Sequence, residues 1–176
     1  MKPILTDSLL QLKMFHPKFK DCQIHSNEVV HYKFITINLP NIFKDQKNNE
    51  ERKVEIHSFI KSFDLEKFSY LKTNNYIYIY EFHSENMSED YNFHIHLLLK
   101  NINKKLLPTK SRIIRDISRL YKIKPNFVDV VQGQRPARFE KYCTGCKTEI
   151  KNEYVEKDKI LRKDLGIKDF FSNYII

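Results

Sequence analysis

The stretch Tyr76–Lys100, YIYIYEFHSENMSEDYNFHIHLLLK, decides the architecture of this chain. Its first part, Tyr76–Phe82, alternates aromatic and β-branched residues, which favours a β-strand. Its last part, Phe93–Lys100, is equally apolar, and the polar residues of 84–92 between the two are typical of a connecting loop. The sequence therefore predicts two antiparallel strands that pair as a hairpin.

Further elements extend from this hairpin in both directions. Hydrophobic periodicity predicts strands over Lys33–Leu39 and Phe127–Val131, helices over Asn48–Phe63 and Thr109–Tyr121, a turn over 132–135 that contains Gly133, and a short helix from Pro136 through Tyr142 that Gly145 ends. The order β, α, β, β, α, β, α is that of a split βαβ arrangement. We therefore expect an α+β fold in which an antiparallel sheet carries helices on one face.

The length of 176 residues and a hydrophobic content of 41% predict one domain with extensions. We assign 1–32 to an N-terminal extension, 33–150 to the domain and 151–176 to a charged C-terminal tail. No apolar run is long enough for a transmembrane helix, and the N-terminal residues lack the pattern of a secretory signal. The three cysteines are expected to be reduced thiols in an intracellular protein.

The formal net charge of +9 favours a phosphate-rich partner. Arg112, Arg115 and Arg119 lie mostly off the apolar stripe of the predicted helix Thr109–Tyr121, so they form a basic outer side. An AT-rich coding sequence would also enrich the chain in lysine, asparagine and isoleucine. Charge alone therefore does not decide the function.

The pair His94 and His96 carries the strongest chemical signal. Residues i and i+2 of a strand point to the same face and lie about 7 Å apart, so both imidazoles can bind one ion. Glu81 ends the neighbouring strand and would complete a set that suits Mn²⁺ or Mg²⁺. His83 and Glu85 are rival ligands, and a solvent-facing pair of histidines without an ion is the plain alternative.

Tyr142 is the candidate nucleophile. It follows a predicted turn, lies on a short helix and has cations nearby at Arg138, Lys141 and Lys147, which could stabilise a phenolate and a phosphate. The alternative for Tyr142 is a packing role beside Phe139.

The chain resembles the endonuclease domain of Rep proteins, which initiate rolling-circle replication in small circular single-stranded DNA viruses and related plasmids and belong to the HUH endonucleases. The resemblance spans residues 33–150 and rests on three motifs in the family's order. These are FITIN with Phe34, Thr36, Ile37 and Asn38; FHIHLLL with Glu81 of YEFH upstream; and EKYCTGCK with Tyr142.

This resemblance implies sequence-specific nicking and joining of single-stranded origin DNA, with a 5′-phosphotyrosine intermediate on Tyr142. It implies Lys147 as a catalytic partner, Mn²⁺ or Mg²⁺ on Glu81, His94 and His96, and DNA contacts from Asn38 and Lys141. The net charge of +9 and the arginine series predict further contacts with single-stranded DNA from Arg112, Arg115 and Arg119. The resemblance also implies host replication machinery as a partner, assembly through a helicase domain, and a location in the host nucleus or the bacterial cytoplasm.

Two departures from the family pattern affect the assignment of residues. Glu81 precedes His94 by 13 residues, which is longer than the usual loop and keeps Glu85 as a substitute. The family's lysine lies three residues after the tyrosine, whereas Lys147 lies five residues after Tyr142. Lys141 could therefore act in its place.

Two non-enzymatic readings compete with the nickase. Cys143 and Cys146 could bind zinc together with Cys22 and His25, in a nucleic-acid-binding module. Alternatively, the tyrosines of the strand Tyr76–Phe82 could form a stacking platform for single strands. Neither needs His96, so its replacement separates these readings from the nickase.

Overall fold

The structure is a computed structural model that describes residues 28–39, 49–62, 65–82, 93–144 and 152–175. One antiparallel sheet contains β1 (His31–Asn38), β2 (Asn75–Glu81), β3 (His94–Asn101), β4 (Val128–Gln134) and β5 (Phe171–Ser172). The helices are α1 (Asn49–Ser62), α2 (Ser69–Thr73), α3 (Lys110–Tyr121), α4 (Ala137–Cys143) and α5 (Asn152–Asp164).

The strands follow the spatial order β4-β1-β3-β2-β5. The first four have the order of a split βαβ unit, so the fold is compatible with a ferredoxin-like α+β arrangement. The predicted α+β class is confirmed, and the predicted hairpin is the antiparallel pair β2–β3.

Alternation along the strands gives the sheet two different faces. On one, here called the core face, Ile35, Leu97 and Tyr78 join the main hydrophobic core with residues of α1, α2 and α3. On the other, here called the opposite face, Phe34 and Leu98 pack with residues of α4. The opposite face is therefore covered by a helix as well, whereas the sequence predicted helices on one face.

Helix α3 is bounded by two local signals. The side chain of Thr109 accepts a hydrogen bond from the backbone N–H of Arg112 at 3.3 Å, which caps the N-terminus. Lys122 has a φ of 53° and ends the helix in the left-handed conformation. Ile113 and Ile117 are fully buried, so the apolar stripe of the helix lies on the core face.

The predicted turn at 132–135 is wrong, because β4 continues through Gln134 and the chain turns at Arg135, whose φ is 61°. Gly133 is a strand residue that pairs with Tyr32 of β1. A Cβ at Gly133 would lie 2.9 Å from the Tyr32 hydroxyl, so the glycine makes room for that ring. Helix α4 ends at Cys143 with Thr144 as its C-cap, and Gly145 lies outside the described residues.

Most of the predicted C-terminal tail is part of the fold. Helix α5 buries Leu161 in the main core, and β5 pairs with β2 through Phe171 and Ser172. The rings of Phe171 and Tyr78 are parallel, with centroids 4.7 Å apart.

At the N-terminal end, β1 begins at His31, two residues before the predicted domain boundary at Lys33. Residues 1–27 lie outside the described ranges.

None of the helices in the described ranges combines the length and the apolar character needed to cross a bilayer.

Candidate metal centre and its tyrosine

Three central strands place the candidate ligands on the opposite face at one end of the sheet. Glu81 of β2 pairs with His94 of β3, and Asn38 of β1 pairs with His94 from the other side. Thr36 of β1 is the cross-strand partner of His96. Because paired residues of adjacent strands point to the same face, these five side chains share one surface.

The ligand atoms of Glu81, His94 and His96 converge. Glu81 Oε2 lies 3.0 Å from His94 Nε2 and 3.5 Å from His96 Nε2, and all candidate ligand atoms lie within 4.8 Å of one another. The three residues are only 2%, 8% and 7% exposed, respectively. The cluster is therefore preorganised by the strands and shielded from bulk water.

This buried group could hold a metal ion. Oxygen and nitrogen ligands bound at about 2.1 Å to one ion lie about 3.0–3.4 Å from each other in octahedral or tetrahedral geometry. Of the separations from Glu81 Oε2, 3.0 Å lies within that range and 3.5 Å lies just above it. One carboxylate and two imidazoles also leave coordination positions for water and a substrate oxygen.

Thr36 and Phe34 of β1 orient the ring of His96. The Thr36 hydroxyl lies 3.1 Å from His96 Nδ1, and the Phe34 ring is nearly parallel to the imidazole at a centroid distance of 5.4 Å. A neutral His96 that donates its Nδ1–H to Thr36 presents the lone pair of Nε2 to the cluster. The Thr36 hydroxyl can accept this proton, so its position is compatible with the tautomer that can bind a cation.

Tyr142 lies beside the cluster. Its hydroxyl is 3.4 Å from His96 Nε2, and its ring meets the imidazole edge-on at a centroid distance of 4.9 Å. Tyr142 is half-buried on α4, and its ring also meets Phe34 edge-on. A residue 46 positions away in the sequence from His96 therefore brings its phenol to the candidate metal centre.

Helix α4 is held against the sheet by packing and by a polar contact. The rings of Phe139 and Phe34 stack at a centroid distance of 4.3 Å, and Cys143 is fully buried. Glu140 accepts hydrogen bonds from Lys100 of β3 and, at 3.1 Å, from the hydroxyl of Tyr174. These contacts set the depth and rotation of the helix that carries Tyr142.

Other predicted site residues have different positions. Lys141 is an exposed neighbour of Tyr142, and Asn38 is half-buried next to His94. Lys147 and the rival ligands His83 and Glu85 lie outside the described residues.

The three arginines of α3 do not join the centre. The helix packs on the core face, so Arg112, Arg115 and Arg119 are exposed on the far side of the sheet from the cluster. Arg112 donates to the Ser69 hydroxyl at 3.1 Å, and Arg115 pairs with Asp116 at 3.1 Å. Any contact of these arginines with DNA is therefore separate from the metal centre.

The structure contradicts one of the two non-enzymatic hypotheses and leaves the other untested. The tyrosine platform is wrong, because Tyr76, Tyr78 and Tyr80 face the helices and are 9%, 5% and 3% exposed. Of the proposed zinc ligands, Cys143 is buried against the sheet, and Cys22, His25 and Cys146 lie outside the described residues. The zinc reading thus stays a prediction.

Sequence reasoning missed four polar residues around the site: Glu140, Asp158, Arg162 and Tyr174. Each contacts an element that carries a site residue, but each contact joins distant parts of the chain and has no spacing signature.

Comparison of the chain with protein-family models, curated proteins and solved structures found no match.

Proposed function

We propose that this protein is a metal-dependent nickase that cuts and rejoins single-stranded DNA through Tyr142. The observation that carries the proposal is the 3.4 Å separation between the Tyr142 hydroxyl and His96 Nε2, within a buried cluster of one carboxylate and two imidazoles. A phenol at that position can reach a phosphate held by the cluster. The resemblance to Rep endonuclease domains supports the same assignment from the sequence motifs.

The residues divide the chemistry between them. Glu81, His94 and His96 would hold Mn²⁺ or Mg²⁺, which would polarise a phosphate oxygen and stabilise the charge of the transition state. The Tyr142 oxygen attacks phosphorus, and a bond from phosphorus to the tyrosine forms as the bond to the 3′ oxygen breaks. The products are a 5′-phosphotyrosine and a free 3′-OH, and attack by a 3′-OH on the phosphotyrosine reverses the step.

The phenol must lose its proton as its oxygen attacks, although a phenol in water has a pKa of about 10, and the departing 3′ oxygen must take up a proton to become the 3′-OH. Lys141 is the neighbouring cation on α4, and Lys147 is the alternative from the sequence. Either ammonium group would stabilise the phenolate during attack and the phosphate charge that follows.

Retention of the bond energy in a phosphotyrosine favours a role in replication over simple degradation. The released 3′-OH can prime a polymerase, and the stored linkage allows the strand to be closed afterwards. We therefore assign the protein to the initiation of rolling-circle replication at a single-stranded origin within a cell. The proposed partners are host replication proteins and a helicase domain through which copies assemble.

The test uses a pool of labelled single-stranded stem-loop oligonucleotides with randomised loops, incubated with the protein and Mn²⁺ and separated on a denaturing protein gel. We expect a covalent adduct that EDTA prevents and that added Mn²⁺ restores. Tyr142→Phe should retain DNA binding and lose the adduct, because it removes only the hydroxyl. Tyr154→Phe, which removes a hydroxyl from a tyrosine of α5, is the matched control and should form the adduct.

An adduct formed by Tyr142→Phe would assign the nucleophile to another tyrosine. Full cleavage by the double variant His94→Ala, His96→Ala would rule out the metal centre as the reacting site.

A further inference from the structure

The C-terminal helix α5 contacts the strand end that carries Glu81. The side chain of Asp158 accepts a hydrogen bond from the backbone N–H of Phe82 at 3.1 Å, and Arg162 Nη1 donates to the backbone oxygen of Tyr80 at 2.9 Å. Tyr80 and Phe82 are the two chain neighbours of Glu81. Contacts to the backbone on both sides limit the movement of Glu81 itself.

Asp158 and Arg162 are 1% and 4% exposed, respectively. Charged side chains are rarely this buried, because they lose hydration that only close polar partners can replace. Here the partners include two backbone groups at the end of β2, where the ladder stops at Glu81. Because backbone groups point along the sheet, these contacts restrain Glu81 from the edge of β2, and its carboxylate lies on the opposite face.

The last residues of the chain make a second contact, to the helix that carries Tyr142. The Tyr174 hydroxyl donates to Glu140 Oε1 at 3.1 Å, and Lys100 Nζ lies 3.8 Å from the centroid of the Tyr174 ring. Lys100 also donates to the same oxygen of Glu140, two residues before Tyr142. Burial and the Glu140 charge raise the pKa of Tyr174 above its usual value, so its hydroxyl stays a donor.

We infer that residues 152–175 are a positioning element with two separate tasks: Asp158 and Arg162 hold Glu81 for the metal ion, and Tyr174 holds Tyr142 through Glu140. The inference rests on the proposed function. The residues act through others and need not touch DNA.

The two tasks affect different measurable quantities. Loss of a group that orients a ligand typically lowers metal affinity 10- to 100-fold. Misplacement of a nucleophile by about 1 Å can slow the reaction about 100-fold without any change in metal binding. A role in general stability would change both quantities together.

The experiment compares the full chain with Asp158→Ala, Asp158→Asn, Tyr174→Phe and the control Lys159→Ala, which removes an exposed side chain of the same helix. Mn²⁺ affinity is measured by isothermal titration calorimetry without DNA. Adduct formation is followed in single-turnover reactions at saturating Mn²⁺, and the melting temperature is recorded for each variant.

Asp158→Ala should weaken Mn²⁺ binding about tenfold, while saturating Mn²⁺ restores most of its adduct formation. Asp158→Asn keeps an oxygen that can accept from Phe82 and should recover most of the affinity. Tyr174→Phe should bind Mn²⁺ like the wild type and form the adduct about tenfold more slowly, within the range for a misplaced nucleophile. Lys159→Ala should match the wild type in both.

Equal losses in both quantities that follow the melting temperature would overturn the inference, as would wild-type values for Asp158→Ala and Tyr174→Phe. If Asp158→Ala does not fold, Arg162→Lys replaces it, and an unchanged Mn²⁺ affinity in that variant overturns the role of α5. If the wild type binds Mn²⁺ but forms no adduct, the proposed function fails, and the calorimetric comparison still decides whether α5 positions Glu81.

Discussion

At the scale of single residues, the candidate metal centre involves more than its three candidate ligands. Thr36 does not belong to the cluster, but its hydroxyl lies 3.1 Å from the Nδ1 atom of His96. Outer partners of this kind fix the ring orientation and the tautomer of a metal-binding histidine. A β1 residue thus contributes to a site whose ligands come from β2 and β3.

Thr36→Val should reduce the affinity for Mn²⁺ about tenfold, because valine has the shape of threonine without its hydroxyl. Thr36→Ser, which retains the hydroxyl, serves as the control, and its Mn²⁺ affinity should stay within about twofold of that of the wild type. Calorimetric titration of the DNA-free protein measures both. An affinity for Thr36→Val equal to that of the wild type would show that the hydroxyl does not orient His96.

At the scale of elements, the position of α4 depends on the surface that β1 and β4 offer to it. Tyr32 and Phe34 of β1 pack against Phe139 of α4, with centroid distances of 5.0 and 4.3 Å. Tyr32 can occupy this place because its β4 partner, Gly133, has no side chain. The sequence suggests Gly133 as a turn residue, but it is a strand residue whose missing side chain leaves room for the Tyr32 ring.

Gly133→Ala should lower the free energy of unfolding by about 1–3 kcal/mol, the usual cost of overpacking, because its Cβ would lie 2.9–3.1 Å from the Tyr32 side chain. Tyr32→Phe in the same chain removes the hydroxyl, which is the nearest atom, and should recover part of the loss. Urea denaturation of the two variants, of Tyr32→Phe alone and of the wild type measures this coupling. Additive effects of the two changes would contradict the predicted contact.

At the scale of the whole molecule, the basic helix α3 and the candidate metal centre lie on different faces of the sheet. Residues 101–127 hold eight lysines and arginines and one carboxylate, and so supply seven of the nine net positive charges. Helix α3, within this segment, packs on the core face, whereas the cluster and Tyr142 lie on the opposite face. DNA held by both regions would have to pass around an edge of the sheet.

The triple variant Arg112→Gln, Arg115→Gln, Arg119→Gln should weaken the salt dependence of single-stranded DNA binding and leave Mn²⁺ affinity unchanged. Each lost phosphate contact lowers the slope of log affinity against log salt by about 0.7, so three contacts correspond to about 2. Fluorescence anisotropy at several NaCl concentrations measures the slope. A slope equal to that of the wild type would exclude α3 from the DNA interface.

The sequence by itself determined the class of the fold and the grouping of Glu81, His94 and His96 that could hold a metal ion. Strand alternation and helical periodicity are local, and they predicted the hairpin, the helix α3 and the common face of His94 and His96. Glu81 followed from the hairpin, because an antiparallel pair brings the end of one strand to the start of the next. These predictions needed only residues close together in the chain.

Only the tertiary structure decided which groups surround that cluster. The contacts of Tyr142 with His96, of Asp158 with Phe82 and of Tyr174 with Glu140 join residues 46, 76 and 34 positions apart. No periodic pattern specifies such pairs, since each depends on which sheet face a helix covers and how deeply it packs. Helix α4 packs on the opposite face because it buries the aromatic rings of that face. The charged C-terminal segment is part of the fold because Leu161 and Phe171 pack against the main core.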